Sequence, residues 1–142
     1  MSVIKALKDY IQKYDGMDIV VLTDRTDDRV NSYALFPSGG GKSAEDVLGN
    51  RRYIKNYVFL AKRAVTEEFE RQENYDFLEG FCDWVEANSS KGIYPVLDEG
   101  MTVEDISVAN IMLMDLSDGW DIGTYQIQIN LTYVKYGEMG ML

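Results

Sequence analysis

Residues 124–136 read TYQIQINLTYVKY, and their alternation constrains the fold more than any other stretch of the chain. Tyr125, Ile127, Ile129, Leu131 and Tyr133 fall on one side of an extended backbone, and Gln126, Gln128, Asn130 and Thr132 on the other. A period of two over so many residues predicts a strand with one packed face. That face needs a second layer, so other parts of the chain must supply helices or a second sheet.

Helices are available. Val3, Ile4, Leu7, Tyr10, Ile11 and Tyr14 recur at helical spacing, which predicts a helix over 2–14 with Ser2 as its N-cap and Asp15-Gly16 as its stop. Phe77, Leu78, Phe81, Trp84 and Val85 repeat the pattern, so a second helix is expected from about 73 to 88, with Trp84 central in its apolar stripe and Gly92 closing the region. Met17–Thr23 and Val30–Phe36 are short apolar runs around a charged turn, Asp24–Arg29, and are expected to pair as a hairpin. Arg51–Val65 reads as a long central strand covered on both faces, with Tyr53, Tyr57, Phe59 and Ala61 on one side and Ile54, Val58 and Leu60 on the other. Val103–Leu116 and Thr124–Tyr136 form two last strands, joined by the turn 117–123. No repeat or linker divides the 142 residues, so one domain, 1–142, is expected. The order is α-β-β-β-α-β-β. The expected class is α+β, with two helices packed on a mainly antiparallel sheet of about five strands.

The glycine run Gly39-Gly40-Gly41, followed by Lys42-Ser43, imitates half of a phosphate-binding loop. That motif needs a first glycine five places before Gly41, where Phe36 stands, and a helix after the lysine. Residues 43–49 offer at most two turns with no apolar stripe, so the run is read as a hairpin loop and no nucleotide is expected. The stretch Ile111–Asp115 imitates a magnesium-holding strand, but four apolar residues before an aspartate occur in any core strand.

Catalytic groups are sparse. The chain has no histidine, and its single cysteine, Cys82, falls beside the apolar stripe of the second helix, where a packed thiol is expected. Asp24/Asp27/Asp28, Glu67/Glu68/Glu70 and Asp98/Glu99 lack calcium-loop spacing and read as solvated turns and helix starts. No catalytic residue, cofactor or metal is therefore expected. A net charge of −10 and a pI near 4.4 oppose nucleic-acid reading, which needs clustered Lys and Arg. One cysteine excludes an internal disulfide and points to a reducing compartment. The opening residues are interrupted by Lys5, Lys8 and Asp9, unlike a signal peptide, and no window approaches the roughly 18 apolar residues of a membrane span.

What remains is an absence. The polar side of the last strand carries no charge from Thr124 to Val134, and Ile106–Met114 carries none either. A sheet face meant for water normally displays Lys and Glu, partly to discourage pairing with other chains. Gln126, Gln128 and Asn130 are therefore expected beneath a cover, either more of this chain or another subunit.

Several stretches together resemble a known family: the N-terminal SVIKALKDYI, the central RRYIKNYVFLAKRA, the aromatic NYDFLEGFCDWVEANSSKG leading into YPVLDEG, and the closing TYQIQINLTYVKY. In order and spacing they look like the small "minor capsid" proteins of tailed phages, prophages and tail-like particles of Gram-positive bacteria. Those proteins are similar to tail terminators, also called tail completion proteins. The likeness covers most of the chain and is weakest over 17–50. It rests on core and turn pattern, so no functional residue carries across singly.

The resemblance implies a homo-oligomeric ring, a hexamer, that caps the tail tube, stops its polymerisation and presents the surface to which a DNA-filled head attaches. It would sit at the head-proximal end of a particle assembled in the host cytoplasm. Its partners would be copies of itself, the tail tube protein, and sheath or head–tail connector proteins; DNA would be passing cargo, and no membrane is involved. In that setting Gly39, Gly40, Gly41 and Trp120 would order on docking. A head–tail joining protein on the portal side is the alternative; a small metabolic or regulatory enzyme and a monomeric binding module are the more remote ones.

Overall fold

A computed structural model describes residues 2–15, 17, 21–24 and 31–137. The alternating segment forms strand β6 (Ile122–Lys135), and it lies inside the sheet rather than at its edge. The other elements, in chain order, are α1 (Val3–Ile11), β1 (Val21–Thr23), β2 (Ser32–Pro37), β3 (Lys42–Glu45), β4 (Arg51–Ala64), α2 (Glu68–Ser90) and β5 (Met101–Leu116). The sheet runs β1-β2-β4-β6-β5, with β3 also paired to β4. The class is α+β with two helices, as expected, on a mixed sheet of six strands.

The sixth strand and the mixed character are corrections. Val21–Thr23 pairs with Tyr33–Leu35 in parallel, not as a hairpin. Short apolar strands show the same alternation in either direction, so their pattern carries no orientation. Asp24 then takes a left-handed turn (φ 53°) and its N–H donates to the Leu35 carbonyl at 3.0 Å. Residues 18–20 of the expected first strand and 25–30 of the charged turn lie outside the described residues.

The glycine run is also placed differently. β2 pairs with β4 from Tyr57 to Lys62, and β3 pairs with β4 from Arg51 to Ile54, so the two short strands follow one another along a single long partner. The run is the kink between them, and the hairpin turn falls later, at 46–50. Gly39 and Gly40 have φ of 75° and 72°, a region costly to side chains with a Cβ. A Cβ on Gly41 would lie 2.5 Å from the Ile54 carbonyl oxygen. The segment after Gly41 is thus a strand, not the helix that a phosphate loop requires.

Both helices lie on one face of the sheet. Leu7, Tyr10 and Ile11 of α1 and Leu78, Phe81 and Val85 of α2 pack with Phe59, Ala61, Tyr125, Ile127, Ile129 and Leu131. Fully burying each large apolar side chain contributes about 1.5–3 kcal/mol. Ser2 caps α1 by accepting from the Lys5 N–H (3.2 Å), as its position predicts. The helix ends three residues before Tyr14 because Gln12 turns inward instead. Its amide donates to the Met17 carbonyl and accepts from the Val21 N–H, both at 2.9 Å, fastening α1 to β1. Tyr14 still reaches the core, with rings of Phe77, Phe81 and Trp84 at 5.4–5.5 Å.

α2 starts five residues earlier than its apolar stripe announces. The extra turn is charged, and the Glu67 N–H donates to the Glu70 carboxylate at 2.8 Å, an N-terminal device rather than a packing one. Trp84 is half-buried against Tyr10, Tyr14 and Phe81, at the margin of the stripe rather than its centre. One polar residue is buried where α2 crosses the sheet. Asn74 donates to the Ala64 carbonyl (2.9 Å) and to the Tyr125 hydroxyl (3.3 Å), and accepts from Arg63 Nε at 2.8 Å. Arg63 in turn donates to the Tyr33 hydroxyl (3.0 Å) and lies 4.5 Å from the centre of the Phe77 ring. Among the described residues no helix is long and apolar enough to cross a membrane.

Candidate functional site

With both helices on one side, no described element covers the other side of β4, β6 and β5. Among the described residues the central strand is therefore covered on one face by its own chain, not on two. Register fixes what the open face presents. Ile54, Asn56, Val58 and Leu60 of β4 stand beside Thr132, Asn130, Gln128 and Gln126 of β6, and these beside Ser107, Ala109 and Met112 of β5. None of these side chains is charged, but the row is bordered by Asp105, opposite Thr132, and by Lys42 of β3, opposite Ile54.

The charges nearby are held at the margins. At one end Arg52 makes a two-pronged contact to Glu104, at 2.6 and 3.2 Å, reaching across β6. The Arg52 hydrogen bond holds the Glu104 carboxyl below its ordinary range. A bulge between Val103 and Asp105 makes this possible: Glu104 turns to Arg52, while Asp105 accepts from Ser89 of α2 at 3.4 Å. Lys62 and Asp115 mark the opposite end.

Gln126 and Asn130 are half-buried and Gln128 is exposed. A second bulge, between Ala109 and Met112, puts Asn110 in the left-handed region (φ 60°), and its amide donates to Gln128 Oε1 at 2.7 Å. Asn56, paired with Asn130, donates to the Gly39 carbonyl at 3.2 Å, which ties the glycine kink to this row. The structure thus joins Gln126, Gln128, Asn130 and, through Asn56, the kink. It does not join Trp120, which is 72% exposed on the β5–β6 turn. Val58 and Leu60 are expected from sequence as a covered side of the central strand, and Asn110 and Met112 lie in the charge-free stretch 106–114; the bulge that aims Asn110 at Gln128 has no sequence signal.

On the helix side of the kink lies a cleft of about 540 Å³, bounded by Val3 and Ile4 of α1, Pro37, Lys42, and Tyr53 and Lys55 of β4. Lys55 Nζ stands 5.6 and 5.9 Å from the centres of the Tyr53 and Tyr133 rings, which stack on each other at 5.1 Å. Gly39 and Gly41 line the same cleft.

Elsewhere the chemistry is that of packing. Burial pushes the Cys82 thiol up to about 11 and the Tyr57 hydroxyl up to about 12, so both stay protonated at neutral pH. Among the described residues no three Cys, Asp or Glu side chains converge as a metal ion would require. Glu68 of the acidic helix start is bound by Arg71 at 2.8 Å. What the arrangement offers is a broad uncharged surface and an apolar cleft, the chemistry of protein contact. Compared with protein-family models and with curated proteins, the chain matches none.

Proposed function

We propose that this protein is a structural subunit of a phage tail or tail-like particle, a tail terminator that forms a ring on the head-proximal end of the tail tube. The observation that carries this reading is the uncharged open face built from β4, β6 and β5. Interface cores are depleted of charge in just this way, whereas sheet faces left to water are not. In a chain with 24 acidic and 14 basic residues, a face whose charges lie only at its borders supports a covered centre. The family likeness of the sequence supplies the identity of the assembly. The net charge of −10 fits a channel that DNA passes through without adhering.

The test is Gln128→Lys. It places an ammonium in the middle of the open face and removes the acceptor for Asn110, while the opposite side of β6 keeps its core contacts. Burying an unpaired charge costs several kcal/mol, about the net strength of many subunit contacts. The expected result is a monomer by light scattering with native circular dichroism, and tails that overgrow or fail to join heads. A variant that assembles and completes tails normally would show that this face is merely wet.

A further inference from the structure

We propose that neighbouring subunits join head to tail, with the β5–β6 turn of one copy seated in the cleft beside α1 of the next. This rests on the ring reading and adds to the open face a second contact, both being needed for the ring to close.

The two features lie on opposite sides of the sheet. β5 is an edge strand, and the β2–β3 kink borders β4 on the far side, beyond β6. One chain cannot bring them together, but two copies can. A contact between unlike patches leaves a free patch at each end, so it propagates and closes into a ring when the rotation allows.

Their chemistry is complementary. The cleft is walled by apolar and aromatic side chains, carries Lys55 with Lys42 at its border, and has no carboxylate among its lining residues. The hairpin end exposes Met112 (49%), Met114 (52%) and Trp120 (72%), and its charges are Asp115, Asp118 and Asp121. Among the described residues neither lysine has an ion-pair partner, and neither do Asp115 and Asp118. The cleft volume falls within the range of sites that bury a few side chains' bulk.

Trp120 adds an independent argument. Its φ of 57° is a conformation that glycine adopts freely and a bulky residue does not. Gly119 is its neighbour, yet the strained place is held by tryptophan. This side chain is 72% exposed and, among the described residues, makes no ring contact. Strain kept without an internal use points outward, to a partner that binds the indole.

The test compares the parental protein with Trp120→Gly, which removes the anchor and relieves the strain, and Lys55→Glu, which reverses the cleft's charge. Each variant alone is expected to be a folded monomer where the parent is a ring, with subunit affinity lowered about thirtyfold or more for the tryptophan change. Mixed together they should form a heterodimer and nothing larger, because one intact turn then meets one intact cleft. As a second measurement, Asp118→Cys and Ser43→Cys copies, both in a Cys82→Ser background, should be joined by a short bismaleimide when mixed and not when separate. If the parent forms rings and both variants still do, or the mixed cysteine copies fail to link, the contact lies elsewhere and this inference falls while the ring stands. A parent that stays monomeric at every concentration overturns the ring reading itself.

Discussion

Removing the buried amide of Asn74 gives a sharp test of how α2 is attached to the sheet. Asn74 is 3% exposed and makes three hydrogen bonds, to the Ala64 carbonyl, the Tyr125 hydroxyl and Arg63. The bond to the carbonyl contributes about 1 kcal/mol net, the longer one to Tyr125 less, and the charge-assisted one from Arg63 about 1.5 kcal/mol or somewhat more. Arg63 and Ala64 are half-buried, so water partly replaces their lost partner, whereas the Tyr125 hydroxyl, 1% exposed, has less such relief. Asn74→Ala should therefore destabilise the subunit by about 3 kcal/mol. For a chain of this size that corresponds to a melting point lower by about 10 °C. Urea denaturation followed by far-ultraviolet circular dichroism measures it, with an unchanged slope expected because the exposed surface is unchanged. Tyr125→Phe removes only the longest bond and should cost under about 1 kcal/mol. If Asn74→Ala costs less than Tyr125→Phe, the amide is not what fastens α2 to the sheet.

Two further outcomes are expected. Trp84→Ala should cost about 2–3 kcal/mol, below the about 3–5 of a fully buried aromatic, because its ring is half in water; a loss above that range in chemical denaturation would place it in the core after all. Burial pushes the Cys82 thiol up to about 11, so at pH 8 almost none is thiolate. Its alkylation by iodoacetamide should be roughly a hundredfold slower than that of the unfolded chain, rising as pH approaches the shifted value, and a rate equal to that of the unfolded chain would contradict the packing.

Sequence periodicity located what burial decides. β4, β6 and the aromatic part of α2 each have one side under strong apolar selection, and their placement follows from counting to two or to three and four. β3 had no such signal: Lys42, Ser43, Ala44 and Glu45 are all exposed, and they are extended only because β4 offers free backbone groups beside them. The direction of β1 was hidden for a related reason, since three apolar residues look alike from either end. For the candidate site, the missing charges of β6 were visible directly. The contribution of Val58 and Leu60 was misassigned, because an apolar residue reads the same whether its own chain or another covers it. The bulge that sends Glu104 to Arg52 and Asp105 to Ser89 follows from pairing with a strand some thirty residues on, which no local window contains.

The position of β6 has a consequence for biosynthesis. Every other described element precedes it in the chain, yet it pairs with β4 on one side and β5 on the other, and its Tyr125, Ile127, Ile129 and Leu131 are among the least exposed side chains. A nascent chain that has emerged only as far as β5 has a helix pair and two half-sheets with nothing between them. β4, paired on its other edge to β2 and β3, then presents one edge of fourteen residues without a partner, beside an uncovered aromatic layer. Folding must wait for the final insertion of β6, which makes the step late, non-local and slow. During that interval the incomplete subunit is open to any passing strand, including the same edge on a neighbouring polysome. A cell that makes many copies at once would need to shelter them until residue 135 has cleared the ribosome.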